Sequence, residues 1–329
     1  ANLKKKNKYQ SFLRVGGPES SVLSLVRAQS KKHHIGIINT NIIYEEKNKK
    51  FESFKINFNF LNFFYKNPFV KILKDFGKPN YLIIHEIYNF NIFPIIILSR
   101  FYNIKILISP RGTFSKIALR INKLKKLIFF KMFLNFFLHF IHGFIALNPG
   151  EKSQINKLYK SKKIYTIPNG FEKKYSIKKK NSFISLNNEI KIFYLGRFDF
   201  YIKGLDILLK EFETYLKKSK KRIVKLVFIG EHRKKFGFSS KELIDNFNKL
   251  NPKNKILVKG PYYGKKKFIE ISKLDMLIQP SRSEGMPNTV LEAMSIGLPI
   301  LATKYTNIVD ILKKNRCGWE INHKKNNIS

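Results

Sequence analysis

Two glutamates, Glu284 and Glu292, are separated by seven residues and flank the run Gly285-Met286-Pro287-Asn288. The apolar run Asp275-Met276-Leu277-Ile278-Gln279-Pro280 ahead of them reads as a short buried strand closed by a proline. Pro287 suits the first turn of a helix, where its missing N–H is not needed. Val290, Ala293 and Met294 give that helix an apolar face, and Gly297 with Pro299 ends it. The segment is therefore strand, loop, helix, with Glu284 in the loop and Glu292 in the helix. The helix start at Gly285 to Asn288 reads as an anion site suited to a phosphate. Glu292 lies one turn beyond Asn288 on the same face, where its carboxylate can accept two hydrogen bonds from a vicinal diol such as a ribose. As an isolated pair, the two glutamates would more simply be surface acids.

A second group of residues carries the opposite charge. The strand-like run Ile190 to Leu195 ends in Gly196-Arg197, and Lys203-Gly204 follows before the amphipathic Leu205-Asp206-Ile207-Leu208-Leu209. Two cations in one strand–helix loop can clamp a diphosphate, Arg197 through its fork and Lys203 as a point charge. In so lysine-rich a chain, two cations alone would be solvated surface charges.

The words around these residues add to the reading. Residues 284–303, EGMPNTVLEAMSIGLPILAT, resemble the E-x7-E signature of the family 4 retaining glycosyltransferases, and Gly-Arg-x5-Lys-Gly at 196–204 resembles the same family's donor-phosphate motif. The resemblance implies two Rossmann-like doubly wound α/β domains facing a cleft, the GT-B architecture, and transfer of a hexosyl unit from a UDP- or GDP-linked sugar. It implies that Glu292 binds the donor ribose and that Glu284 contacts the transferred sugar. Gly285, Met286, Pro287 and Asn288 would complete the donor site, and Arg197 and Lys203 would stabilise the leaving diphosphate. The Gly16-Gly17 loop would face that diphosphate, and the loop at Gly260 would flank the nucleotide base. No cofactor and no metal is expected, since there is neither an Asp-x-Asp strand-end pair nor a His/Cys cluster with metal spacing. The implied reaction is front-face displacement, the leaving phosphate helping to deprotonate the acceptor hydroxyl. The residues themselves do not choose between this and a double displacement.

The elements that must position these groups alternate along the chain. Val15 to Ile38 reads as glycine loop, helix and strand. Tyr81 to Ile84 is a strand ending in His85-Glu86, and strand ends in open parallel sheets face the ligand crevice, so His85 either touches an acceptor hydroxyl or a sugar or is simply a satisfied strand-end histidine. Ile104 to Ile108 leads into Ser109-Pro110-Arg111-Gly112, a turn similar to one in family members that build bacterial surface polysaccharides; Arg111 is expected there as an anion contact. Residues 114–143 suggest a very apolar helix. Its default place is the core, and an in-plane membrane helix, with Lys116, Arg120, Lys123, Lys125 and Lys126 on lipid head groups, is the alternative. Asn148-Pro149-Gly150-Glu151 is a helix start with Asn148 as cap and Glu151 reaching back. The expected division is an acceptor-side domain at 1–172, a Lys- and Ser-rich linker at 173–189 and a nucleotide-sugar domain at 190–329. The basic start at Ala1 and the stop at Ser329 suggest a piece lacking the first strand and the last helix.

Length and composition bound the alternatives. The 329 residues suffice for two domains, and 43% apolar content argues for a globular chain. One cysteine, Cys317, excludes an internal disulfide and fits a reducing cytoplasm. The net charge of +42 points to a polyanion, but the lysines are scattered and no nucleic-acid motif accompanies them. Composition bias is the simpler origin, with attraction to an anionic membrane as its consequence, at the inner face of the plasma membrane. A growing glycan, free or lipid-linked, is the expected acceptor. The competing readings are an inactive twin-Rossmann fragment that binds membrane or polyanion, and a nucleotide-sugar epimerase. A phosphorylase would need a pyridoxal lysine that the sequence does not single out.

Overall fold

The computed structural model describes residues 17–39, 51–56, 67–88, 92–120, 123–129, 135–172, 175–177, 189–218, 223–235 and 238–322. The chain divides into two compact units, Ala1–Gly170 and Phe171–Ser329.

The first unit opens with α1 (Gly17–Gln29) and a parallel pair, β1 (Gly36–Asn39) with β2 (Glu52–Lys55). After α2 (Pro68–Phe76) come β3 (Tyr81–His85), α3 (Ile92–Phe101), β4 (Lys105–Ser109), α4 (Lys116–Arg120), α5 (Lys123–Ile128), β5 (Gly143–Ala146), α6 (Pro149–Leu158) and β6 (Lys163–Thr166). The last four strands form one parallel sheet in the order β3-β4-β5-β6. Every residue of β5 is buried, as a strand covered on both faces requires. Gly16, expected in the phosphate loop, lies outside the described residues, while Gly17 stands in the first turn of α1 rather than ahead of it.

The expected apolar helix over 114–143 is broken into short pieces where it is described. Phe129 and Phe137 turn inwards and both pack on Phe93, at 5.4 and 4.7 Å between ring centroids. Leu124, Ile128 and Phe136 stay exposed. Among the described residues no helix is long and apolar enough to cross a membrane.

The second unit is built on β7 (Glu189–Leu195), β8 (Ile223–Ile229), β11 (Leu257–Lys259), β12 (Met276–Gln279), β13 (Ile300–Thr303) and β14 (Gly318–Ile321); a small hairpin, β9 (Lys234–Lys235) with β10 (Phe238–Ser239), lies between β8 and β11. The helices are α7 (Leu205–Lys218), α8 (Ser240–Leu250), α9 (Gly264–Ile271), α10 (Asn288–Ser295) and α11 (Val309–Lys314). The six strands form one parallel sheet in the order β11-β8-β7-β12-β13-β14. Numbered within the unit this is 3-2-1-4-5-6, the order of a doubly wound dinucleotide-binding sheet.

Period-two alternation makes the two faces. Phe193, Leu195, Val227 and Ile229 join a core with α9, α10 and α11, through Ile271, Val290, Ala293 and Leu312. Their neighbours Tyr194, Leu226 and Phe228 join another with α7 and α8, through Leu205, Leu208, Phe212, Ile244 and Phe247. Adjacent residues of one strand point to opposite faces, so each strand buries both. Tyr175 and Ile177, within the stretch read as a linker, pack against the first of these cores.

Gly230, which follows β8, has φ +151°, and a Cβ there would lie 1.9 Å from the carbonyl oxygen of Gly196. Glycine is what lets the turns after β7 and β8 touch, with Gly196 N–H donating to Ile229 O at 2.9 Å. Gly230→Ala is expected to destabilise the protein by at least ~2 kcal/mol through the forced φ and the displaced turn. Urea unfolding of the variant beside wild type checks this, and an unchanged midpoint would refute it.

Candidate functional site

The strand order of the second unit reverses between β7 and β12. The chain leaving β7 runs to α7 on one face, and the chain leaving β12 runs to α10 on the other. The carboxyl ends of these neighbouring strands are the switch point at which doubly wound sheets generally take their ligands. The β7 loop carries Arg197 and Lys203, and the β12 loop carries Glu284.

The β7 turn is fixed from below. Tyr194 is fully buried, and its hydroxyl donates to Arg197 O at 2.8 Å. Burial, the largest cause, holds the Tyr194 phenol well above its ordinary range, so it stays a donor. Arg197 itself is exposed. Lys203 Nζ reaches across to Glu284 Oε1 at 2.6 Å, with both side chains mostly covered. The same oxygen accepts from Ser281 Oγ at 2.9 Å and from Gln279 Nε2 at 3.1 Å. Gln279 Oε1 in turn accepts from Thr289 Oγ1 at 3.3 Å, so the end of β12 and the start of α10 share one polar network. Glu284 Oε2 has no partner among the described residues.

The Glu284 loop is held by its backbone. Glu284 N–H donates to Tyr305 O at 3.0 Å, and Asn307 Nδ2 donates to Glu284 O at 2.7 Å. Asn307 adopts φ 57°, a left-handed conformation that asparagine tolerates better than most residues. Arg282 joins the two loops. Its guanidinium pairs with both oxygens of Asp206 at 2.6 and 2.7 Å, donates to Tyr201 O at 2.7 Å and lies 4.6 Å over the Tyr201 ring. Its N–H donates to Ile202 O at 2.9 Å. The loop bearing Lys203 is thus fastened on both sides of that lysine to the loop bearing Glu284.

Pro287 occupies the N-cap position of α10 rather than the first turn, and Asn288 is the first helical residue. Met286 packs against the core beneath, which leaves the backbone at Gly285 to Asn288 to form the helix start. One turn on, Glu292 Oε1 accepts from Lys267 Nζ of α9 at 2.5 Å. Glu292 Oε2 has no partner among the described residues. Gly260 stands in the open after the edge strand β11, where a Cβ would meet nothing within 4 Å.

In the first unit the carboxyl ends of the strands also carry polar side chains. Arg111, after β4, donates from Nε to His85 Nδ1 at 3.0 Å. Its NH1 donates to Ser21 Oγ at 2.8 Å and to Asn169 Oδ1 at 3.2 Å. Glu151 is buried, accepting from Gly112 N–H at 2.5 Å and Leu147 N–H at 2.7 Å, while its own N–H donates to Asn148 Oδ1 at 2.8 Å. It reaches back past its cap by one residue and also grips the Arg111 turn. Burial raises the Glu151 pKa, the two backbone donors opposing it.

Local motifs pointed to Glu284, Glu292, Arg197, Lys203, His85 and Arg111. Arg282, Asp206, Gln279, Ser281, Asn307, Lys267, Ser21 and Asn169 were not singled out, and the gaps between partners, such as 206 to 282 or 21 to 111, explain why. Asn307 and Asn169 carried a signal as turn-forming residues.

Residues 176–328, within the second unit, match the protein family described as "Glycosyl transferases group 1". An uncharacterized glycosyltransferase of Methanocaldococcus jannaschii is 27% identical over 257 residues, which cover 71% of this chain and 57% of that protein. The matched parts of the curated relatives span 35 to 57% of their lengths. A structure of Anabaena Alr3699/HepE in complex with UDP-glucose superposes with TM-score 0.64 at 16% identity, covering 95% of this chain and 84% of that one. WaaG, a glycosyltransferase involved in lipopolysaccharide biosynthesis, gives TM-score 0.62 at 15% identity, covering 93% and 82%. The fold is the twin Rossmann-like GT-B architecture.

Two outcomes follow from this geometry. Arg282→Met is expected to destabilise the protein by ~1–3 kcal/mol in urea unfolding, discounted because Asp206 is 43% exposed. No change would mean that the clamp does not hold the loops. Burial, with the Arg111 charge second, pulls the His85 pKa from 6.5 to about 3. The unfolded chain takes up that proton near pH 6.5 and the folded chain only near 3. The stability is therefore complete above pH 6.5 and lost as pH falls towards 3. Between pH 7 and 5, wild type should lose ~2 kcal/mol more than His85→Asn. Identical pH dependence of the two proteins would refute it.

Proposed function

We propose that this chain is a glycosyltransferase that moves a hexosyl unit from a nucleotide diphosphate sugar to a glycan or lipid-linked glycan in cell-surface polysaccharide synthesis. The observation that carries this reading is the convergence of Lys203, Glu284 and the α10 start at the strand-order reversal, with Glu292 one turn further along. The group 1 family match and the likeness to a structure in complex with UDP-glucose and to a glycosyltransferase involved in lipopolysaccharide biosynthesis support it.

In this reading the diphosphate lies at the first N–H groups of α10, with Arg197 and Lys203 supplying positive charge. Glu292 is held at Oε1 by Lys267, and its other oxygen receives the ribose hydroxyls. Glu284 is held at Oε1 by three donors, and its other oxygen is left for the hexose. An incoming diphosphate competes with Glu284 for Lys203, so the lysine moves partly from one anion to the other as the donor binds.

The bond from the anomeric carbon to the β-phosphate oxygen breaks while the bond to the acceptor oxygen forms. The acceptor proton passes to the departing phosphate, configuration is retained, and neither a protein nucleophile nor a metal is needed. The first unit supplies the acceptor side, through His85 and Arg111. The exposed Leu124, Ile128 and Phe136, beside Arg120 and Lys123, suit contact with an anionic membrane on the cytoplasmic side.

Calorimetric titration of UDP and of GDP into wild type and Glu292→Gln tests the donor site. One nucleotide should bind preferentially and weaken at least ~10-fold in the variant, or about 1.4 kcal/mol. Equal, salt-sensitive binding of both nucleotides to both proteins would sink the reading. Conversion of a donor sugar without any acceptor would favour an epimerase.

A further inference from the structure

Among the described residues Arg111 makes no direct ion pair. Its Nε and NH1 bind three neutral groups, and among the described residues no carboxylate lies within ion-pair reach of it. The acids that act on it electrostatically are Glu151 and Glu86. Both oxygens of Glu151 accept backbone N–H groups, so it acts on Arg111 only through space. Glu86 is exposed and turned off its strand by φ 66°. A half-buried guanidinium held in this way favours an anionic partner.

The side chain is also held in advance. Arg111 has φ 54°, a backbone state that a non-glycine residue keeps only where its surroundings enforce it. The enforcement comes from separate elements: His85 at the end of β3, Ser21 in α1, Asn169 beyond β6, and Glu151 on the next residue's N–H. Because Nδ1 of His85 accepts from Arg111, the neutral ring carries its proton on Nε2. That N–H, on the far side of the ring, has no partner among the described residues. NH2 of Arg111 is in the same condition.

We infer that the first unit carries an oxyanion site, with Arg111 as its charge and His85 Nε2–H as a neutral donor, for a phosphate group of a substrate. A phosphate offers acceptors in several directions and suits a planar fork combined with separate neutral donors. The site lies wholly in the first unit and stands apart from the reading of Glu284 and Glu292. The phosphate can come from the nucleotide donor or from a prenyl-phosphate-linked acceptor.

The test is calorimetric titration of inorganic pyrophosphate into the full chain and its Arg111→Gln, Arg111→Lys and Lys78→Gln variants at two salt concentrations. Lys78 is exposed and controls for the loss of one positive charge. One-to-one binding that weakens at least ~10-fold in Arg111→Gln, less in Arg111→Lys and not in Lys78→Gln is expected. Equal weakening in Arg111→Gln and Lys78→Gln, or no saturable binding to wild type, overturns the site. If Arg111→Gln does not fold, Asn169→Ala removes one support of the guanidinium and must weaken pyrophosphate binding; unchanged affinity overturns the proposal. With the site established, UDP and farnesyl phosphate distinguish its sources: whichever loses affinity in Arg111→Gln supplies the phosphate.

Discussion

The arrangement of the second unit depends on one constraint, the adjacency of β7 and β12 in a sheet whose strand order reverses between them. Each of these strands is followed by a helix on a different face, so their loops part at the carboxyl end. Nothing in the β7 loop alone makes a site, and nothing in the β12 loop does either. The parallel register Met276↔Ile192 and Leu277↔Phe193 puts the ends of the two strands side by side. From there Lys203 and Glu284, 81 residues apart in sequence, come within 2.6 Å. Gly196 and Gly230 permit the close turns, buried Tyr194 supports the Arg197 carbonyl, and Arg282 fastens the two loops through Asp206 and Tyr201.

Charge is managed differently at the two places where it matters. The chain has 64 Lys and Arg against 22 Asp and Glu, so most cations must be solvated without a partner and an acid with one is informative. In the second unit each site acid is engaged: Glu284 by Lys203, Glu292 by Lys267, Asp206 by Arg282. Each glutamate is held at one oxygen, so its remaining acceptor has a defined direction and little reorganisation is left for ligand binding. In the first unit Glu151 accepts backbone N–H groups and shapes the turn, while the hydrogen bonds of Arg111 go to neutral partners.

Much of this was legible in the sequence, and the limit of legibility has a physical form. Strand–loop–helix at 275–296 could be read because each signal is local: an apolar run, a proline near a helix start, a glycine after its end. Gly297 does adopt φ +82° there. Gly-Arg-x5-Lys-Gly was legible for the same reason. What could not be read were the partners: Arg282 with Asp206, Lys267 with Glu292, Ser21 and Asn169 with Arg111. These are contacts between elements brought together by sheet order, and one sequence carries no record of which loop faces which. The apolar stretch over 114–143 shows the opposite limit. Its composition resembles one long helix, yet Phe129 and Phe137 fill the core against Phe93 while Phe136 stays outside, so packing rather than helix propensity sets the chain path.

The positive-φ residues tie these points together. Glu86, Arg111 and Asn307 are non-glycine residues in left-handed conformations, and each follows the carboxyl end of a parallel strand, after β3, β4 and β13. Such a conformation costs about 1–2 kcal/mol for an L-residue and persists only where other contacts fix it. At Asn307 the fixing contact runs to Glu284 O, and at Arg111 it runs through the side chain to His85, Ser21 and Asn169. In both cases the strained residue is the one whose side chain joins elements around a proposed ligand position. Glycine would relieve the strain at either place and would delete that link. The residue type there is therefore set by what the side chain holds, against the preference of its own backbone.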